Sequence, residues 1–165
     1  MNEYANYTPE SDLYFLRLAI DQARTARERG EYPFGAVLVK DGDVVSTAYD
    51  QCLALSDPTA HAEMLLVSRY CRQERLLTLD GYTIFSSTEP CILCSGAIKW
   101  SRISKVVFSV SQEMLQQRTK GRRKPSCHSF VNTGERIVDV VGPLITDEGI
   151  TVFDGFQFGS KANRQ

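Results

Sequence analysis

The sequence predicts a single α/β domain in which helices pack on a partly parallel sheet. Apolar runs of strand length fall at 34–39, 82–86 and 105–110. Helical periodicity lies between them, and the alternation of strands and helices after residue 80 calls for crossover connections. The 165 residues are enough for one well-cored domain and few for two, so residues 1–165 read as one unit.

The elements follow in order. Leu13, Leu16, Ala19, Ile20 and Ala23 recur at helical spacing after Ser11, and Gly30 is a suitable stop. Pro33 opens a strand over 34–39. Lys40-Asp41-Gly42-Asp43 predicts a hairpin turn, because Asp-Gly tolerates positive backbone angles, and 44–49 is the returning strand. Residues 53–58 read as a loop, with Asp57 or Thr59 placed to cap a helix over 60–73. That helix would bury Ala62, Leu65, Leu66 and Tyr70.

A strand at 82–86 leads to a helix from about Cys91 to Trp100, then to a buried strand at 105–110 and a short helix at 111–118. Residues 119–134 turn polar and basic and predict a long surface loop. A strand is expected at 137–141. Between 144 and 158, Thr146-Asp147-Glu148 favours a helix start, while Gly149 and Gly155 oppose it.

Composition narrows the function classes. Apolar residues make up 42% and charged residues 24%, ordinary for a globular chain, so disorder is not expected. A formal net charge of −1 supplies no global field to attract a polynucleotide. The apolar runs fall far short of the roughly 18 residues that cross a bilayer, so no membrane association is expected. The start, MNEYANYTPESD, is acidic where a signal peptide is basic, which points to the cytoplasm. In a reducing compartment the five cysteines, Cys52, Cys71, Cys91, Cys94 and Cys127, suit metal binding or free thiols better than disulfides.

The chemistry concentrates in His61-Ala62-Glu63 and Pro90-Cys91-Ile92-Leu93-Cys94. Zinc takes thiolate and imidazole ligands in a tetrahedron, and a catalytic site keeps one place open for water. Cys91 and Cys94 stand three apart on one helical face, a chelating spacing. With His61 opening the preceding helix, two helix N-termini would meet at one Zn2+ per subunit and stabilise anionic ligands.

Three ligands imply an open site. Glu63, two residues after His61, points roughly 200° away on a regular helix and is a poor fourth ligand. From the first turn it can instead take a proton from the attacking water and pass it to a ring nitrogen and the departing amine. The alternative is a structural zinc site completed by Cys127 or His128, which would make the chain a non-catalytic interaction module. Cys52 and Cys71 read as packing residues.

The combined pattern, H-x-E followed by P-C-x-x-C, is a signature of zinc deaminases acting on nucleobases. Together with Pro33-Phe34-Gly35-Ala36, Asp57-Pro58-Thr59-Ala60, Gly96-Ala97-Ile98 and Val106-Val107-Phe108, it resembles the cytidine deaminase superfamily. The branch it resembles holds guanine deaminases and bacterial tRNA adenosine deaminases. The resemblance implies a three-layer α/β/α sandwich around a mixed five-stranded sheet, zinc on His61, Cys91 and Cys94, Glu63 as proton shuttle, and a homodimer. The expected substrate is a small purine-like base, nucleoside or related heterocycle. A tRNA adenosine deaminase is the second reading, less favoured by the near-neutral charge.

Phe34 is a candidate to stack on the substrate ring or to pack in the core. Ala62 and Trp100 are further candidates for the substrate site, Trp100 fitting a core role as well. Where both relatives carry asparagine against the base, this sequence has Asp50, which accepts hydrogen bonds without donating. A substrate presenting an N–H or amino donor there is expected. Arg118, Lys120, Arg122, Arg123 and Lys124 form a basic stretch that could be a solvated loop or an anion grip. Guanine deaminases close their C-terminal segment over the pocket, and that resemblance implies that Phe153, Phe156 or Phe158 would cover the site here.

Overall fold

A computed structural model describes residues 9–119 and 125–159. Lys120, Arg122, Arg123 and Lys124 of the basic stretch lie outside the described residues. The elements are α1 (Pro9–Glu28), β1 (Gly35–Lys40), β2 (Asp43–Tyr49), α2 (Cys52–Leu55), α3 (Ala62–Glu74), β3 (Tyr82–Thr88), α4 (Ile92–Trp100), β4 (Lys105–Val110), α5 (Gln112–Thr119), α6 (Cys127–Val131), β5 (Asp139–Val141) and α7 (Thr146–Gly149). A 3-10 turn, Ile150–Phe153, follows.

The five strands form one mixed sheet in the order β2-β1-β3-β4-β5. β1 is antiparallel to β2 and β3, while β3–β4 and β4–β5 are parallel. The hairpin turn forms as its sequence requires, with Asp41 at φ 52° and Gly42 at φ 87°. α4 and α6 serve the two parallel crossovers.

Strand alternation sorts the core onto two faces. Leu38, Ile84 and Val106 face α3, α4 and α6, meeting Ala62, Leu66, Ile98 and Val131. Val37, Val39, Phe85 and Val107 face α1, meeting Phe15, Leu16 and Ala19. Each such fully buried aliphatic side chain contributes roughly 1.5–3 kcal/mol. Helices therefore cover both faces, giving the expected α/β/α sandwich. α1 lies close on β1 because residue 35 is glycine: a Cβ there would stand 2.4 Å from the Ala19 carbonyl oxygen.

Three expectations are corrected, and the open one over 144–158 is decided. The loop at 53–58 contains the short helix α2, whose carboxyl end closes with Ser56 in the left-handed region. Neither Asp57 nor Thr59 caps α3. His61 holds the N-cap position in extended backbone, and Asp57 instead accepts from the Thr59 N–H and hydroxyl at 2.8 and 2.7 Å. The expected surface loop at 119–134 contains α6, which forms because Ser126 accepts from Ser129 N–H as its cap and because Cys127 and Val131 bury against the sheet. The tail resolves into α7 and the 3-10 turn, where Val152 and Phe153 are buried.

Candidate metal centre and base pocket

α3 and α4 present their N-termini to one point at the carboxyl end of β3. His61 and Cys91 occupy the two N-cap positions, and Cys94 lies one turn into α4. Pro90 keeps Glu89 extended and starts α4 at the next residue. Ser95 donates its hydroxyl to the Pro90 carbonyl at 3.2 Å and fixes that turn.

His61 Nδ1 lies 3.5 Å from both Cys91 Sγ and Cys94 Sγ, and the two sulfurs are 3.7 Å apart. Tetrahedral zinc with ordinary bond lengths requires nitrogen–sulfur separations of about 3.6 Å and sulfur–sulfur separations of about 3.8 Å. The triangle fits zinc. The charge chemistry agrees: contact with the Cys94 thiol, and then His61, holds the Cys91 thiol down to about 3. Cys91 and burial push Cys94 up. A dication between them is what allows both sulfurs to ionise together.

Glu63, in the first turn of α3, is buried and stands outside that triangle. Its Oε2 is 3.4 Å from Cys94 Sγ, and its Oε1 accepts from the Ser86 hydroxyl at 2.9 Å. Burial pushes the Glu63 carboxyl above its ordinary range. A carboxyl with raised proton affinity beside three candidate ligands is suited to carry a proton both ways.

A cavity opens over the triangle. His61, Glu63, Cys91 and Cys94 form its metal side, and Phe34, Asp50, Thr88, Glu89, Gln112 and Leu115 line the rest. Asp50 is 1% exposed, accepts the Cys52 N–H at 3.0 Å, and has its pKa raised by burial. The Cys52 thiol also contacts Asp50, at 3.6 Å, so Cys52 supports the pocket wall instead of serving only as packing. Cys71 does pack against the core.

The structure brings Phe34 and Asp50 to the cavity and leaves two candidates outside it. Ala62 is sealed in the core between α3 and the sheet. Trp100 ends α4 with 90% of its surface exposed, so it is neither core nor cavity wall. Phe34 is also packed on Phe153, 5.8 Å between ring centroids, and on Phe158 at 6.2 Å. The C-terminal aromatics thus support the cavity wall through Phe34. Cys127 is buried beside Glu89, and neither it nor His128 joins a group of metal-ligand geometry among the described residues.

Thr88, Glu89, Gln112 and Leu115 line the cavity without having been singled out in the sequence. Glu89 immediately precedes the Pro90-Cys91 motif, and that position is the one signal the sequence offers for it. Its buried carboxylate accepts the Cys127 N–H at 2.7 Å and the Gln112 N–H at 2.9 Å. Thr88 carries a buried hydroxyl with no hydrogen-bond partner.

The profile of the cytidine and deoxycytidylate deaminase zinc-binding region matches residues 9–110. The tRNA-specific adenosine deaminase of Aquifex aeolicus is 47% identical over 96 residues, 58% of this chain and 64% of that protein. The chain therefore spans just under two thirds of that relative. A probable cytosine deaminase of Schizosaccharomyces pombe is 36% identical over 157 residues, 92% of this chain and 96% of that protein. Among solved structures, one from studies of A-to-I editing by tRNA:A34 deaminases superposes with a TM-score of 0.73 at 30% identity, covering 85% of this chain and 99% of the other. Guanine deaminase from Nitrosomonas europaea shares the fold, with a TM-score of 0.77 at 20% identity over 90% of this chain and 84% of that one. The chain belongs to the cytidine and deoxycytidylate deaminase family and carries its zinc-binding hydrolytic domain.

Proposed function

We propose that this protein hydrolytically deaminates a small free heterocyclic base, with His61, Cys91 and Cys94 as zinc ligands and Glu63 as proton shuttle. The observation that carries the reading is a cavity whose lining puts Glu63 beside the ligand triangle together with the buried acceptor Asp50. Zinc held by the triangle would supply Lewis acidity that makes water nucleophilic near neutral pH. Glu63 carries one proton from the attacking water to the ring nitrogen as the carbon–oxygen bond forms, then a second from the resulting hydroxyl to the amine, so that the carbon–nitrogen bond breaks, ammonia departs and a carbonyl remains. Ser86 holds the Glu63 carboxyl in line. Phe34 provides an apolar face for the ring, and Asp50 receives an N–H from its edge.

We read the base as purine-like. The likeness to a probable cytosine deaminase over 92% of this chain brings pyrimidines into the substrate panel as well. The tRNA-specific adenosine deaminase of Aquifex aeolicus matches 58% of this chain. That enzyme's 47% identity over the matched core supports a second reading, deamination of adenosine in tRNA. A homodimer is part of the proposal, and light scattering after gel filtration tests it.

Ammonia release from purines, pyrimidines, pterins and their nucleosides, alongside inosine formation in tRNA, tests the two readings together. Release from a free base with no tRNA product supports the first. Salt-sensitive tRNA binding with inosine formation supports the second. Wild-type behaviour of Glu63→Ala in every assay would support a non-catalytic module and overturn both.

A further inference from the structure

Gln112 begins α5, is buried, and lines the cavity together with Leu115 one turn later. Both of its nitrogens are committed to Glu89: the backbone N–H donates to the carboxylate at 2.9 Å, and Nε2 donates to the Glu89 carbonyl at 2.6 Å. An amide whose nitrogen is held in this way has its oxygen fixed on the opposite side. The Glu89 carboxylate is in turn locked by its second bond, to the Cys127 N–H.

We infer that Gln112 is a specificity-determining residue whose Oε1 accepts a ring N–H of the bound base, with Glu89 as the positioning residue that prevents the amide from flipping. This rests on the reading of the cavity as a base pocket. Gln112 and Asp50 then form a wall with two acceptors. A base that places a ring nitrogen lone pair against either one leaves two acceptors opposed in a buried site, which is costly. The pocket accordingly selects a tautomer or base with N–H donors on that edge, and it discriminates against ring-N-alkylated bases. A free base is favoured over its nucleoside wherever the sugar replaces the N–H that Gln112 receives.

The test measures calorimetric affinities of guanine, adenine, cytosine and their individual ring-N-methyl derivatives. The protein carries Glu63→Gln to block turnover, alone or with Gln112→Leu or Gln112→Met. Melting temperature and zinc content serve as controls of folding. With Gln112 present, one methyl derivative of the preferred base should bind about tenfold more weakly than its parent, the size of one lost buried hydrogen bond. With Leu or Met at 112 that difference should shrink to within about twofold, while discrimination at the other ring nitrogens persists. A uniform loss of affinity for every ligand, or unchanged discrimination, would overturn the inference and leave the base-pocket reading standing. Failure of every base to bind the Gln112-containing protein would overturn both.

Discussion

Glu89 accepts the backbone N–H of Cys127 at 2.7 Å, tying the start of α6 to the turn that delivers Cys91. The other carboxylate oxygen accepts the first N–H of α5. One buried carboxylate thus satisfies backbone donors at two helix starts and ties a segment 38 residues further along the chain to the turn before Cys91.

Replacing Glu89 with alanine should therefore destabilise the protein as well as the site. Two buried N–H groups would lose a charged acceptor, and each unsatisfied donor costs about 1–3 kcal/mol. A total loss of about 3 kcal/mol or more is expected from urea denaturation. A loss below about 1 kcal/mol would mean that water substitutes for the carboxylate.

Ser86→Ala separates positioning from ligation. It removes the donor to Glu63 Oε1 while leaving all three candidate ligands intact. Turnover should fall by roughly 10- to 100-fold with zinc content unchanged, as for other supporting residues around metal sites. Loss of zinc in this variant would show that the serine acts on the triangle and not on the shuttle.

Asp50→Asn replaces an acceptor with a group that both donates and accepts. The order of preference across a base panel should shift towards bases with a ring nitrogen acceptor at that edge. An unchanged order would remove Asp50 from substrate recognition.

Gly35→Ala tests the contact between α1 and the sheet. A methyl group 2.4 Å from the Ala19 carbonyl and the Ala23 nitrogen cannot be relieved by a side-chain rotation, because both atoms belong to the helix backbone. Overpacking of this kind costs typically 1–3 kcal/mol. The thermal midpoint should drop clearly, whereas Gly134→Ala meets no atoms within 4 Å and is limited to the strain of its positive φ.

Most of the sheet and the metal triangle were legible in the sequence because each carries its own local signal. Strands β1 and β4 are built on the apolar runs 36–39 and 106–108, β3 carries Ile84-Phe85 among β-favouring residues, and the Asp41-Gly42 turn dictates the first hairpin. His61, Glu63, Cys91 and Cys94 are set by short-range spacing at two helix starts. α6 escaped notice because its burial depends on contacts made through Cys127 and Val131 with residues far away in the chain, while its neighbours read as polar loop. The rest of the cavity wall escaped for the same reason. Thr88, Gln112 and Leu115 are common residue types whose role arises only when β3, β4 and α5 converge. Trp100 was misplaced because helical spacing alone does not say which face its helix turns to solvent.

In the proposed function the His61–Cys91–Cys94 triangle and Glu63 together form a hydrolytic deaminase centre. Ammonia release from the base panel by zinc-loaded wild-type protein, with Glu63→Gln as the blank, tests it most directly. At least one base should be deaminated by the wild type, and Glu63→Gln should lose at least about 100-fold of that rate while keeping one zinc per chain. Equal ammonia release by both proteins, or none from any base or from tRNA by fully zinc-loaded wild type, would contradict the account.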